Sequence, residues 1–138
     1  MAHTYGPGLV LHMYPDELLR FGASHTAEPD EAVAAQHYFL CISADDKGGL
    51  WAPLYLTPGQ DRLPIREADK RGHGRWTRGA SFYSPDELWR IPHKAAQRGA
   101  QAAGDKSGPR DENRVEPGAV PAREIFPADS AFRTHARA

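Results

Sequence analysis

The sequence predicts an α+β fold: a small, strongly curved antiparallel sheet with short helices in the connections and a helix closing the folded part. Three observations lead there. Four short runs carry β-branched or aromatic residues between turn formers. An acidic, glycine-rich pentapeptide joins two of those runs as a hairpin. The tripeptide Pro-Asp-Glu, which sets proline at a first helical position with carboxylates against the positive dipole end, occurs three times in the connections. A chain of 138 residues, 40% hydrophobic and 25% charged, suits one globular domain, and a helix-only fold fits it least.

In chain order, residues 9–13 form the first strand, and Pro15-Asp16-Glu17 opens a helix. Pro29-Asp30-Glu31 opens a second helix, and residues 37–43 form a strand. Asp45-Asp46-Lys47-Gly48-Gly49 then supplies the residues of a tight reversal into a strand over 50–56. Residues 63–65 add a short edge piece, where Pro64 is tolerated because an edge strand spares one backbone donor. A strand over 75–83 follows, and Ser84 caps a helix begun by Pro85-Asp86-Glu87 and ended by Pro92. The alanine-rich stretch 93–103 is a last helix with Lys94 and Arg98 outward, weakened by Gly99. The likeness of residues 16–21 to 86–91 reflects shared helix-start chemistry, because the three tripeptides recur at no fixed period. Short strands joined in this way suggest an SH3-like curved sheet or barrel.

The expected domain is residues 1–103. The segment 104–138 holds Pro109, Pro117, Pro121 and Pro127 among alternating charges and too few large apolar groups for a core. It reads as a flexible tail whose deletion is tolerated, with Ile125, Phe126 and Phe132 able to dock on the body or on a partner.

Several function classes are excluded. The longest apolar run, residues 38–42, is far short of the roughly 20 residues of a helical membrane span. Residues 1–14 lack the basic and apolar regions of a secretory signal, so the expectation is a cytoplasmic protein that does not enter membranes. Cys41, the single cysteine, sits among Phe39, Leu40 and Ile42 as a buried thiol. Phosphate-binding loops with Lys-Ser/Thr, Gly-x-Ser-x-Gly elbows and paired carboxylates in an apolar context are missing, which sets aside ATP hydrolysis, Ser-His-Asp hydrolysis and dinucleotide chemistry. No cofactor is expected. The seven histidines, His3, His12, His25, His37, His73, His93 and His135, include no pair at helical spacing, so no metal site is expected.

Charge is segregated along the chain. Residues 1–46 carry one basic and seven acidic groups (net −6), residues 47–103 carry ten and five (net +5), and residues 104–138 carry six and six. Such a basic middle either meets a polyanion or pairs with the acidic first third. Its densest part, residues 66–79, combines five basic residues with His73 between Gly72 and Gly74. Lys70, Arg71, Arg75 and Arg78 are the candidate phosphate contacts and Trp76 the candidate base-stacking group. In the competing reading the loop is a solvated hairpin, its arginines paired and Trp76 in the core. Histidine is the side chain best suited to acid–base work near neutral pH, and His37 and His73 are the candidate bases.

The hairpin His37-Tyr38-Phe39-Leu40-Cys41-Ile42-Ser43, followed by Gly49-Leu50-Trp51-Ala52-Pro53-Leu54-Tyr55-Leu56-Thr57-Pro58, resembles the central strands of MazF/PemK-like toxins. The resemblance covers about residues 37–58 and matches the family pattern at Ser43, Pro53 and Thr57. It implies an SH3-like barrel, sequence-specific cleavage of RNA without a metal, an antitoxin partner and a homodimer. Gln36 and His37 stand where the family has an arginine, and Gly8-Leu9-Val10 replaces the Gly-Asp opening of the first strand. Cleavage would then use His37 or His73 as base and Arg75 or Arg78 for charge, giving His37, Thr57, His73 and Arg75 as the expected catalytic set.

Two functions compete. The first is an RNA-directed toxin-type protein, an endoribonuclease with steeply salt-dependent binding. The second is a non-catalytic protein-binding module or inhibitor, encoded by a phage or mobile element, that captures a host factor through Trp51, Trp76, Trp89 or the cluster Ile125, Phe126 and Phe132.

Overall fold

The computed structural model describes residues 5–104 and 113–133. In chain order its elements are β1 (Leu9–Met13), α1 (Pro15–Arg20), β2 (Ser24–His25), β3 (His37–Ala44), β4 (Gly48–Pro53), β5 (Leu63–Ile65), β6 (Lys70–Arg71), α2 (Gly74–Thr77), β7 (Ser81–Tyr83), β8 (Trp89–Pro92), α3 (His93–Ala102) and β9 (Asn113–Val115). Seven strands form one antiparallel sheet in the order β2-β8-β4-β3-β1-β9-β6, and β5 pairs with β7 in a second. The fold is thus α+β. The main sheet is open, with β2 and β6 as its edges, instead of closing as a barrel. Both edge strands have only two residues, and β4 ends at Pro53, which has no N–H to donate to a continuing ladder.

Period-two alternation gives the central strands two buried faces. Leu9, Leu11, Met13, Phe39, Cys41, Trp51, Trp89 and Ile91 point to the face covered by α1 and α3. Val10, Leu40, Ile42 and Ala52 point to the other, where Ile65, Trp76, Tyr83, Leu88, Val115 and Phe126 cover them. Helix α3 presents Ala95, Ala96, Gly99 and Ala100 inward. Glycine at 99 lets the helices touch, because a Cβ there would lie 2.5 Å from Leu18 Cδ2.

The β3–β4 hairpin is present, with Leu40 opposite Ala52 and a bulge between Cys41 and Ser43. Asp45 Oδ1 accepts the N–H groups of Lys47 (2.8 Å) and Gly48 (3.0 Å), and these bonds hold its carboxyl below the usual carboxylate range. The glycines that read as turn residues belong to β4, where a Cβ on Gly48 would come within 2.6 Å of the Ile91 carbonyl oxygen in β8.

Of the three Pro-Asp-Glu tripeptides only the first begins a helix. At the second, the N–H groups of Glu31 and Ala32 both return to the Glu28 carbonyl in a single turn. At the third, the chain turns at Ser84, whose hydroxyl accepts the Asp86 N–H, and runs into β8. A helix there is overridden because Glu87, Leu88 and Trp89 are all drawn into the interior. The strand expected over 75–83 is likewise divided into α2 and β7, since His73 caps the helix through Nδ1 and Trp76 turns inward.

Residues 113–133 of the segment expected as a tail run against the body, while 105–112 and 134–138 lie outside the described residues. Strand β9 lies between β1 and β6, pairing Leu9 with Arg114 and Lys70 with Val115. Gly8, at φ +94°, permits this approach: its carbonyl accepts the Val115 N–H, and a Cβ would sit 2.9 Å from the Val115 oxygen. Phe126 is buried against Tyr83, with ring centres 5.6 Å apart.

Candidate functional site

Glu87 is a buried carboxylate, 4% exposed, at the end of the turn leading into β8. Its Oε1 accepts the Tyr55 hydroxyl, and its Oε2 accepts Trp89 Nε1 and the Val33 N–H, each at 2.9 Å. Three donors offset the cost of burying the charge, which makes Glu87 an anchor rather than an available base. Burial first, and then the Glu87 charge, hold the Tyr55 hydroxyl far above the ordinary tyrosine range. Tyr55 is thereby a fixed, protonated platform.

Two functional groups lie against that platform. The Arg62 guanidinium stands over the Tyr55 ring, 3.7 Å from its centre. It is brought back there by a turn at Gly59 (φ +55°) and by the bond from its own N–H to the Pro58 carbonyl. Arg62 Nη1 also donates to Thr57, at 3.1 Å to the carbonyl oxygen and 3.3 Å to Oγ1. His37 meets the same ring edge-on at 5.3 Å, and its Nδ1 is 2.8 Å from the Ala35 carbonyl oxygen. A carbonyl only accepts, so in the neutral ring Nδ1 carries the proton and Nε2 is left as an acceptor, the form a general base needs.

Beside this cluster opens a cleft of about 350 Å³, lined by Thr26, Ala27, Glu28, Glu31, Tyr55, Arg62, Ser84, Asp86 and Glu87. Its acidic wall is partly countered by Arg133, 3.2 Å from Glu28. A second groove, of about 490 Å³, is lined by residues at the β3–β4 turn and in β4 and β8, among them Asp45, Lys47 and Arg90, together with Asp129. Among the described residues no group of three His, Cys, Asp or Glu side chains gathers to hold a metal ion, and no helix is long and apolar enough to cross a membrane.

The residues anticipated from sequence are divided between places. His37 and Thr57 are joined through Tyr55 and Arg62. His73 and Arg75 belong to the α2 turn, where His73 Nδ1 accepts the Arg75 N–H and the His73 N–H reaches Asn113 Oδ1 at 2.8 Å. In the cationic loop, Lys70 and Trp76 are inside the protein, at 4% and 1% exposure, which corrects their expected places on an RNA-facing surface. The Trp76 indole donates to the Arg114 carbonyl and packs on Tyr38. Arg71 pairs with Glu116 at 2.9 Å, leaving Arg75 and Arg78 as exposed cations of the loop with no ion pair among the described residues.

The anticipated partner anchors are corrected too. Trp51 and Trp89 are wholly buried and Phe126 nearly so, because the sheet needs their area for its core; Ile125 keeps 41% exposure, and Phe132 is half-buried beneath the Arg90 guanidinium. Tyr55, Arg62 and Glu87 escaped the sequence reading. The usable signal was the spacing of Glu87 and Trp89, which places a carboxylate and an indole donor on one side of an extended chain.

No protein-family model matches the chain, and none of the curated proteins or solved structures matches it.

Proposed function

We propose that the protein is a toxin-type, RNA-directed, metal-independent endoribonuclease whose chemistry resides at His37, Arg62 and Thr57. One observation carries this reading: a histidine whose Nδ1 is turned to the Ala35 carbonyl, leaving Nε2 as the acceptor, and an arginine that holds a threonine flank the same immobilised Tyr55 ring. Cleavage of RNA requires a base for the ribose 2′-hydroxyl and a positive group for the negative charge that develops on the phosphoryl oxygens. His37 Nε2 takes the hydroxyl proton, the 2′ oxygen bonds to the adjacent phosphorus, and the bond to the 5′ oxygen breaks. Arg62 stabilises the equatorial oxygens, the leaving oxygen gains a proton from water, and the products are a 2′,3′-cyclic phosphate and a 5′-hydroxyl. The 2′-hydroxyl is the nucleophile, so DNA of the same sequence stays intact.

The test is incubation of the full chain with end-labelled mixed-sequence RNA in EDTA. Wild-type protein and His73→Ala cut the RNA, whereas His37→Ala and Arg62→Ala each lose about a hundredfold or more in rate, the usual worth of one acid–base or charge-stabilising group. Absence of cleavage by wild-type protein, or equal loss in His73→Ala, overturns the assignment.

A second reading, a protein-binding module for an antitoxin or host factor, is favoured by Leu56, which lies 85% exposed one residue from the Tyr55 platform, with Leu63 at 40% on β5. Leu56→Ser abolishing capture of the partner while the fold is retained is the expected result. Retained capture removes Leu56 as the anchor.

A further inference from the structure

We propose that Lys70 and Ser81 form a serine–lysine dyad, in which the Ser81 hydroxyl is a nucleophile that takes an acyl group from a small activated ester. Lys70 Nζ lies 2.7 Å from Ser81 Oγ, 3.2 Å from the Trp76 carbonyl oxygen and 4.1 Å from the centre of the Trp76 ring. Lys70 is 4% exposed and Ser81 5%, although Lys70 belongs to a two-residue edge strand from which a lysine side chain could readily reach water. Turning the ammonium inward is costly, and in place of an ion pair among the described residues it is met by the Trp76 carbonyl, the Ser81 hydroxyl and the Trp76 ring. Burial draws its pKa below the ordinary lysine value; the charge of Glu67, whose Oε2 is engaged by the Gly79 N–H, opposes the shift. A buried lysine whose pKa is drawn below the ordinary value, within hydrogen-bond reach of a hydroxyl, is the arrangement that activates a serine without histidine.

Ser81 opens β7 directly after the exposed residues Gly79 and Ala80, which puts the dyad at the loop end of that strand. The small residual exposure of Ser81 limits the acyl group to a slim one such as acetyl. In the reaction the neutral Lys70 amine takes the Ser81 proton while Oγ bonds to the ester carbonyl carbon. The carbonyl re-forms as the bond to the leaving alkoxide or phenolate breaks with its electron pair, and Lys70 returns its proton to water. Ser81 is left as an ester. This chemistry is separate from that at His37, so either assignment can fail alone.

The experiment treats the full chain with p-nitrophenyl acetate and locates the acetyl groups by peptide mass mapping before and after hydroxylamine, which cleaves esters and spares the amides formed on surface lysines. The folded wild type is expected to carry a hydroxylamine-labile acetyl group at Ser81, absent from Ser81→Ala. Lys70→Arg, which keeps the charge but gives up no proton, is expected to slow its formation about a hundredfold or more. The same chain unfolded in urea provides a reference that depends on no variant. Ser81 esterified no faster in the folded chain than in the unfolded one, or equally fast in a folded Lys70→Arg, overturns the dyad.

Discussion

Phe126→Ala measures how much the fold depends on residues that composition assigned to a tail. Phe126 is 5% exposed and closes the face of the sheet that also buries Tyr83, Trp76 and Val115, with its ring 5.6 Å from that of Tyr83. Removing a buried phenylalanine side chain costs about 3–5 kcal/mol in lost transfer energy and residual cavity. A domain of this size has about 5–15 kcal/mol in total. At roughly 4 °C per kcal/mol the melting temperature should fall by about 12–20 °C. Its neighbour Ile125, 41% exposed, is the matched control, and Ile125→Ala should stay within about 0.5 kcal/mol of wild type. Calorimetry and urea titration of the three proteins decide the matter. A Phe126→Ala midpoint within about 2 °C of wild type, or equal to that of Ile125→Ala, would refute the packing argument.

Gly99→Ala gains about 1 kcal/mol of helix propensity but forces a Cβ to 2.5 Å from Leu18 Cδ2, at a cost of about 1–3 kcal/mol, so urea titration should show a net loss that reverses in a Leu18→Ala background. Burial pushes the Cys41 thiol up to about 12, so the folded protein should resist thiol reagents near pH 9 and react once unfolded. Because that folded-state pKa is raised, the associated stability is complete below the ordinary thiol value of about 9 and is lost as pH rises toward 12, a decline that Cys41→Ala should lessen in alkaline melting curves. Tyr55→Phe removes a donor to the buried Glu87 and should cost about 1–3 kcal/mol in urea titration. The raised tyrosine pKa has the same sign, so wild type should lose stability above roughly pH 10 and the variant less of it. Arg75→Ala with Arg78→Ala removes two exposed cations, so the slope of log affinity for single-stranded RNA against log salt should flatten by about 1.4, read from filter binding at several salt concentrations.

What the sequence determined by itself was the set of elements whose signal is local. β1 is written in the alternation of Leu9, Leu11 and Met13; the β3–β4 hairpin in Asp45, which ties its own turn; and α1 and α3 in a proline at the first helical turn and a run of alanines. These depend on residues within a few positions of one another, as does the α+β class. Tertiary structure decided the rest. The three Pro-Asp-Glu tripeptides carry the same local instruction, yet only the first obeys it, because at the third Tyr55 and Val33 supply donors to Glu87 and hold the chain extended. Nothing local separates Lys70 from the exposed Arg75 and Arg78 or decides between a stacking and a core place for Trp76; inside the protein Lys70 meets Ser81 and Trp76 meets the Arg114 carbonyl. The candidate site was legible only at His37 and Thr57, since the Tyr55 ring between them is fixed by Glu87 and covered by Arg62, which come from separate loops. Residues 113–133 have too few apolar groups for a core of their own, but they need none where β1 and β6 offer unpaired backbone and Tyr83 a ring to cover. Burial and pairing depend on surfaces that exist only after distant parts of the chain have met, which is why composition reads that segment as a tail while the fold takes Asn113–Val115 into the sheet and buries Phe126.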